Sequence, residues 1–310
     1  MATTIKTQRF GVEVEMTGIS RAAAASVIAA YYHTSSRGPL RDGYYTRTIP
    51  DNKGRNWKIQ RDSSISPEIK TRTADSIDEY RVEMVTPILR YDDIEDLQEI
   101  VRQLRAAGAK VNSSCGIHIH VDGANHTAHS LKNLMEFMVA RQYLINECLL
   151  NEHRTSRWCK PISQELLDAV RKEKDLTKDS LEAIWYSSAN DHYYGRIDHS
   201  HYNDTRYHGL NLHAFFSKGT VEFRLFNSTL HAGKVKAYVQ FVLALSAWAI
   251  NTDGRVVFKS MDGYTPEQKV TIMINVIRNR LGLTGEEFAT CRMHMLSILK
   301  SNAGMNTRAA

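Results

Sequence analysis

The chain has 310 residues, 42% of them hydrophobic and 24% charged, with a formal net charge of +6. That is enough for one large domain or two modest ones with a sizeable core, and the mix is that of an ordinary globular protein. The basic residues are scattered rather than gathered in a run, which argues against a nucleic-acid-binding arm and is compatible with an anionic substrate or nucleotide.

Cys115, Cys148, Cys159 and Cys291 form no CxxC pair and no framework spacing, so they read as free thiols in a reducing compartment. The first residues, MATTIKTQRF, hold no apolar stretch of signal-peptide type. The most apolar segment, Val239 to Ile250, is well short of the ~20 residues a membrane span needs. The expectation is a cytoplasmic protein without a membrane partner.

Taken in chain order, RFGVEVEM (9–16) alternates charged and apolar residues as a half-buried strand does. The alanine-rich segment 20–33 opens on Ser20, an acceptable N-cap, and is expected to be a helix. Residues 34–56 are rich in Gly, Pro and Asp, as a loop or hairpin is. Strands are expected at WKIQRDSSI (57–65) and YRVEMVTPIL (80–89), and an amphipathic helix from Asp92 to Ala107. The stretch CGIHIHVD (115–122) reads as another strand, followed by a long helix from about Ser130 to Glu152.

Residues 153–185 are polar and expected to be helical, whereas 187–209 show no hydrophobic period and are rich in Tyr, His, Asp and Arg. So long a stretch without regular structure is expected to cover a site. LNLHAFF and GTVEFRLFN read as two strands around a Ser-Lys-Gly turn at 217–219, and helices follow near 234–250, 265–281 and 285–300. Met273, Val276 and Leu281 have the spacing of a helix's core face. Strands and helices mix without a strict βαβ rhythm, so the class expected is α+β with a largely antiparallel sheet.

Three of these strands carry polar pairs at i and i+2: Glu13 and Glu15, His118 and His120, Glu222 and Arg224. Side chains two apart in a strand share a face, so each pair projects together while its neighbours feed the core. A fourth strand offers Glu83 among Val82, Met84 and Val85. On one sheet these residues would gather carboxylates, imidazoles and a guanidinium, which is costly unless they bind metals or one another. Carboxylates with histidine suit Mg²⁺ or Mn²⁺, and a nearby arginine suits phosphate. Each pair alone also fits the solvent face of an amphipathic sheet; the recurrence of one geometry carries the functional reading.

The order GVEVE, WKIQRDSSI, VEMVTPIL, SCGIHIHVD, RYHGLNL, TVEFRLFN resembles the amidoligase family, of the carboxylate–amine ligase superfamily that includes glutamine synthetase and glutamate–cysteine ligase. The resemblance runs from about Arg9 to Ile250; residues 34–56 and the region beyond 251 fall outside its motifs. It implies a glutamine-synthetase-like curved sheet with flanking helices, a catalytic domain over 1–250 and a helical extension over 251–310 packed on it. It implies metal binding by Glu13, Glu15, Glu83, His118 and Glu222, with His120 close to the nucleotide phosphates or a metal. Arg224 would meet the transferring phosphoryl group, Arg206 would hold phosphate or the substrate carboxylate, and Asn211 lies on the strand that follows. Asp62 and Ser64 match the family's Asp-x-Ser turn after the Trp-containing strand, whose role is either functional or a structural cap.

The implied activity is ATP-dependent ligation of a carboxylate to an amine through an acyl phosphate, with Mg²⁺ or Mn²⁺. A carboxylate resists nucleophiles until its oxygen is made a good leaving group, and phosphoryl transfer needs cations along the phosphates. The sequence names neither the carboxylate nor the amine, which would be carried by a small molecule, a peptide or a protein, and it singles out no base. A Zn- or Mn-dependent metallohydrolase built on the HxH strand is the alternative, although ExE and ExR strands have no natural place in a closed zinc shell. A non-catalytic nucleotide-binding protein of the same fold is the other.

Other residues invite a role and are discounted. His199 and His201 in DHSHYND sit in a polar loop and need not share a face, so a lid over the substrate is preferred to a metal site. Cys115 has no evident base and reads as a buried small side chain. RGPLRDGYYTR (37–47) reads as an ordinary surface hairpin rather than a nucleotide-stacking segment.

Overall fold

The structure, a computed structural model, describes residues 2–68, 77–187, 197–254, 256–258 and 260–305. Its strands are β1 (Phe10–Met16), β2 (Arg47–Pro50), β3 (Asn56–Gln60), β4 (Val82–Val85), β5 (Gly116–Asp122), β6 (Leu210–Asn211) and β7 (Thr220–Asn227). They form one seven-stranded sheet in the order β2-β3-β4-β1-β5-β7-β6. The β1–β4, β2–β3, β3–β4 and β6–β7 pairs are antiparallel, and helices flank the sheet, so the α+β class holds.

The chain divides into two compact units, one of residues 9–119 and 226–236, the other of 1–8, 120–225 and 237–310. In the first, β1 sends Phe10, Val12, Val14 and Met16 into the core and leaves Glu13 and Glu15 for its other face. Helix α1 (Arg21–Tyr31) starts where Ser20 Oγ accepts the Ala23 N–H at 3.2 Å, and lies against β2 and β3. Helix α2 (Ile94–Ala106) buries Ile94, Leu97, Val101 and Leu104, an i, i+3, i+7 stripe that packs on α1.

The second unit is mainly helical. Helix α3 (Ala128–Leu149) begins at a capping box in which Thr127 and Ser130 exchange side-chain and backbone bonds. It packs on α4 (Gln164–Lys172), which packs on α5 (Lys178–Ser187). A short helix α6 (His213–Lys218) precedes β7, and α7 (Ala232–Asn251) follows it. Helix α8 (Pro266–Asn275), capped by Thr265 and Gln268, runs into a π-helical turn at Val276–Arg280, and α9 (Ala289–Asn302) packs on α8 and α3. Among the described residues no helix is long and apolar enough to cross a membrane.

Three expectations need correction. LNLHAFF alternates like a strand, yet only Leu210–Asn211 is extended and His213–Lys218 is helical. The Asn211 side-chain oxygen accepts the Ala214 N–H at 3.3 Å and starts that turn, and Gly219, at φ +75°, ends it. WKIQRDSSI leaves the sheet after Gln60 because Asp62 Oδ1 accepts the Ser64 N–H at 2.7 Å and closes a turn. YRVEMVTPIL is extended only over Val82–Val85; a 3₁₀ turn at Asp78–Tyr80 precedes it and Pro87 follows. Of the stretch at 187–209, residues 188–196 lie outside the described residues; Asp204–Arg206 forms a 3₁₀ turn.

Candidate active site

In the first unit the site is made by register. Glu15 on β1 stands opposite Glu83 on β4, and Glu83 stands opposite Gln60 on β3. Residues directly opposite in antiparallel strands have Cβ atoms about 4.5–5.5 Å apart, so two carboxylates are forced together. Both are buried, as is His118 on β5.

His118 sits among these carboxylates, with Nδ1 3.0 Å from Glu13 Oε2 and Nε2 3.8 Å from Glu15 Oε1. Glu15 Oε2 accepts the Gly116 N–H at 2.5 Å, and Gln60 Nε2 donates to Glu83 Oε2 at 2.6 Å. Ligand atoms of Glu13, Glu83 and His118 lie within 4.8 Å of one another, and so do those of Glu15, Asp62 and Glu83. Burial, then the charges of Glu13, Asp62 and Glu15, push the Glu83 carboxyl well above the usual carboxylate range, against the pull of the Gln60 hydrogen bond.

These residues fit a divalent cation. Four carboxylates and one imidazole offer hard oxygens with a single nitrogen, the preference of Mg²⁺ or Mn²⁺ over a zinc shell of nitrogen and sulfur. A cation would also remove the mutual repulsion that keeps a proton on Glu83.

The second unit holds a polar group of its own. Asn211 on β6 stands opposite Glu222 on β7 and donates from Nδ2 to Glu222 Oε2 at 2.6 Å. Arg224, two residues on and hence on the same face, donates from Nη1 to Glu222 Oε1 at 2.6 Å. His120 has Nε2 3.7 Å from Glu222 Oε1 and Nδ1 2.9 Å from Thr220 Oγ1. The Arg224 guanidinium lies 5.9 Å from the Tyr207 ring centre.

Arg206, at the end of its 3₁₀ turn, donates from Nη1 to the His201 carbonyl at 2.8 Å, with His201 Nε2 at 3.1 Å. A cavity of about 140 Å³ is lined by Arg206, Asn211, His213, Lys218 and Glu222, with His199 at its edge. His213 Nδ1 meets the Tyr186 hydroxyl at 2.7 Å. Burial, followed by the charges of Arg206, His199 and Lys218, pulls the His213 imidazole down to about 4, so it is neutral at physiological pH.

Asp62 thus has two tasks, closing a turn and adding a carboxylate to the Glu15–Glu83 group. His199 pairs with Glu182 at 2.5 Å and lies against Tyr186, and His201 belongs to Arg206; neither is in a metal-capable group among the described residues. Cys115 is buried at the entry to β5. Gln60, Thr220, Tyr186 and His213 are polar partners that the sequence reading passed over. Gln60 was legible as a polar residue at the end of an apolar strand. His213 was hidden by reading its helix as a strand.

Residues 6–246 match the family model described as "Putative amidoligase enzyme". The chain belongs to the amidoligase family. Its class of function is therefore ligase-type. No curated protein matches the chain significantly. Among solved structures, this amidoligase aligns with the crystal structure of a bifunctional glutathione synthetase from Pasteurella multocida at 12% identity and a TM-score of 0.41. That alignment covers 98% of this chain and 50% of the other, so the chain spans about half that protein's length.

Proposed function

We propose that this amidoligase is an ATP-dependent carbon–nitrogen ligase that forms an amide or isopeptide bond through an acyl phosphate. The observation that carries the reading is the donor set of buried Glu15, Glu83 and His118 with half-buried Glu13 and Asp62, whose crowded carboxylates a divalent cation would neutralise. Mg²⁺ or Mn²⁺ there would supply electrostatic stabilisation of a polyphosphate.

In this reading one P–O bond of ATP breaks, releasing ADP, as a new P–O bond forms to the substrate carboxylate. The amine nitrogen then bonds the acyl carbon, phosphate departs with the C–O bond pair, and the amine gives up a proton. Glu13, Glu15, Glu83, His118 and Glu222 are assigned to the metals, and His120 to the nucleotide side. Arg224 offers positive charge to the transferring phosphoryl group while Glu222 and the Tyr207 face fix its position. Asn211 holds Glu222 in place, and Arg206 faces the small cavity, where it would take an anionic end of a substrate.

The same reading assigns catalysis to 1–250 and treats 251–310 as an extension of it. It places the protein in the cytoplasm, in keeping with four buried free thiols, with carboxylate and amine substrates and neither membrane nor nucleic acid as partners. Substitution of Arg224 by Met is expected to slow turnover about 10²–10³-fold, the cost of one electrostatic stabiliser.

The decisive experiment is calorimetric titration with ADP and a non-hydrolysable ATP analogue, in the presence of Mg²⁺, Mn²⁺ or neither. Metal-dependent binding by the native chain, lost in Glu222→Gln and Glu83→Gln, supports the reading. Absence of binding with either metal refutes it, and a zinc analysis would then test the metallohydrolase.

A further inference from the structure

Beyond Arg224 the second unit carries a basic and aromatic surface built from two separate segments. The Lys160 N–H donates to the Tyr207 carbonyl at 2.7 Å and the Gly209 N–H to the Lys160 carbonyl at 3.0 Å, which lays residues 157–160 alongside 206–209. Trp158 and Tyr207 meet edge to face, with ring centres 5.5 Å apart and planes at 71°. The Arg157 guanidinium lies over the Trp158 ring at 4.3 Å, and those of Arg206 and Arg224 lie 5.5 Å and 5.9 Å from the Tyr207 ring centre. Arg157 and Lys160 are exposed, whereas Trp158, Arg206 and Tyr207 are half-buried.

These cations differ in how far they are engaged. Arg224 is buried and paired with Glu222, and Arg206 spends Nη1 on the His201 carbonyl. Arg157 and Lys160 have no carboxylate within ion-pair distance among the described residues; nor has Arg206, although Asp204 shares its 3₁₀ turn. The Arg157 side chain rests on the indole alone. A guanidinium over an aromatic face turns its N–H edge away from the ring, so the stack orders the planar fork and leaves its donors for a carboxylate. The same stack disfavours a nucleic acid, because Arg157 covers a face of Trp158 and an edge-to-face ring pair leaves no parallel gap for a base. Through the Tyr207 ring the surface is continuous with Arg224, so whatever docks on it reaches the residues assigned to ligation.

We propose that Arg157, Lys160 and the Trp158–Tyr207 pair dock an acidic peptide, in which glutamate or aspartate side chains flank the carboxylate to be ligated. The fate of that carboxylate rests on the ligase reading; the docking itself does not. Flanking carboxylates pair with the Arg157 fork and the Lys160 ammonium, two cations that the chain leaves without an anionic partner among the described residues, while the reacting carboxylate passes to Arg206 and Arg224. Binding energy gained away from the reacting atoms then holds the carboxylate in place for phosphoryl transfer.

The test is fluorescence anisotropy of a fluorescein-labelled hexaglutamate peptide titrated with the full chain, in EDTA at low ionic strength. Labelled hexaglutamine and a labelled thymidine hexanucleotide serve as controls. The result expected is saturable hexaglutamate binding that is about tenfold weaker in Arg157→Ala/Lys160→Ala, is lost in Arg157→Glu/Lys160→Glu and weakens with added salt. Both positions are exposed, so the variants are expected to fold, and their melting temperatures check this. The proposal is overturned if hexaglutamate does not bind saturably, if the double alanine variant binds it as the native chain does, or if hexaglutamine or the hexanucleotide binds as tightly. Nucleotide titration of the same samples separates the two readings. Hexaglutamate binding without metal-dependent nucleotide binding keeps the docking surface and removes the ligase, whereas nucleotide binding without hexaglutamate binding overturns the docking surface alone.

Discussion

Gln60 donates its side-chain amide to Glu83 Oε2 at 2.6 Å across the β3–β4 pair, while Glu15 faces the same carboxylate from β1. One neutral donor on one side and a carboxylate on the other cannot satisfy a buried charge, which is why Glu83 retains a proton far above the usual carboxylate range. The consequences are measurable without any substrate.

A raised carboxyl contributes stability that is complete below its unfolded pKa of 4.5 and is lost as pH rises through the folded value. In EDTA, therefore, the native chain is expected to lose stability relative to Glu83→Gln from about pH 4.5 upward. The variant should melt higher at pH 8. Addition of Mn²⁺ should raise the melting temperature of the native chain and have little effect on the variant. Equal melting of the two proteins in EDTA across this range would show that the carboxylates do not crowd one another.

Arg224 and Glu222 are both buried and 2.6 Å apart. Removal of one partner from a buried pair strands the other's charge, at a cost of roughly 3 kcal/mol. Glu222→Leu is expected to lose that much in urea unfolding, and the double variant Glu222→Leu/Arg224→Met to lose less. A double variant as unstable as the sum of the two singles would mean that the pair is not energetically coupled.

His126 is buried with Nδ1 3.0 Å from Ser130 Oγ and Nε2 2.9 Å from Ser246 Oγ. Burial, and then the Lys178 charge, lower it from 6.5 to about 4. A depressed histidine contributes stability that is present above pH 6.5 and lost as pH falls toward the folded value. A shift of about 2.5 at 1.36 kcal/mol per unit amounts to roughly 3 kcal/mol. Unfolding free energy measured from pH 7 to pH 4.5 should show this decline, and His126→Gln should flatten it.

Gly123 donates its N–H to the Gly219 carbonyl at 2.9 Å, so closely that an added Cβ would come 2.5 Å from that oxygen and 2.8 Å from the Phe215 ring. Neither backbone nor a packed ring yields cheaply. Gly123→Ala is expected to cost about 2 kcal/mol in chemical denaturation, within the range for overpacking. A loss below 0.5 kcal/mol, the ordinary surface value, would contradict this packing.

Strand periodicity was enough to put Glu13 with Glu15, His118 with His120, and Glu222 with Arg224, because alternation is a local property of an extended chain. Glu83 stood out for the same reason, a charge within an apolar run. The Ser20 cap and the stripe of α2 were legible too, since both depend on residues a few positions apart. Local pattern misled at LNLHAFF, where a side-chain oxygen of Asn211 starts a helix that alternation disguises.

What the tertiary structure alone decided is register and long-range approach. That Glu83 faces Glu15 rather than a neighbour one residue along is set by hydrogen bonding between strands 68 residues apart, and a slip of one would send it to the opposite face. Asp62 joins the same group from a turn, Gln60 from a third strand, and His213 meets Tyr186 from a separate helix. Arg141 and Arg280 share a ring although 139 positions separate them. No window of sequence contains such pairs, because packing of distant apolar faces fixes them.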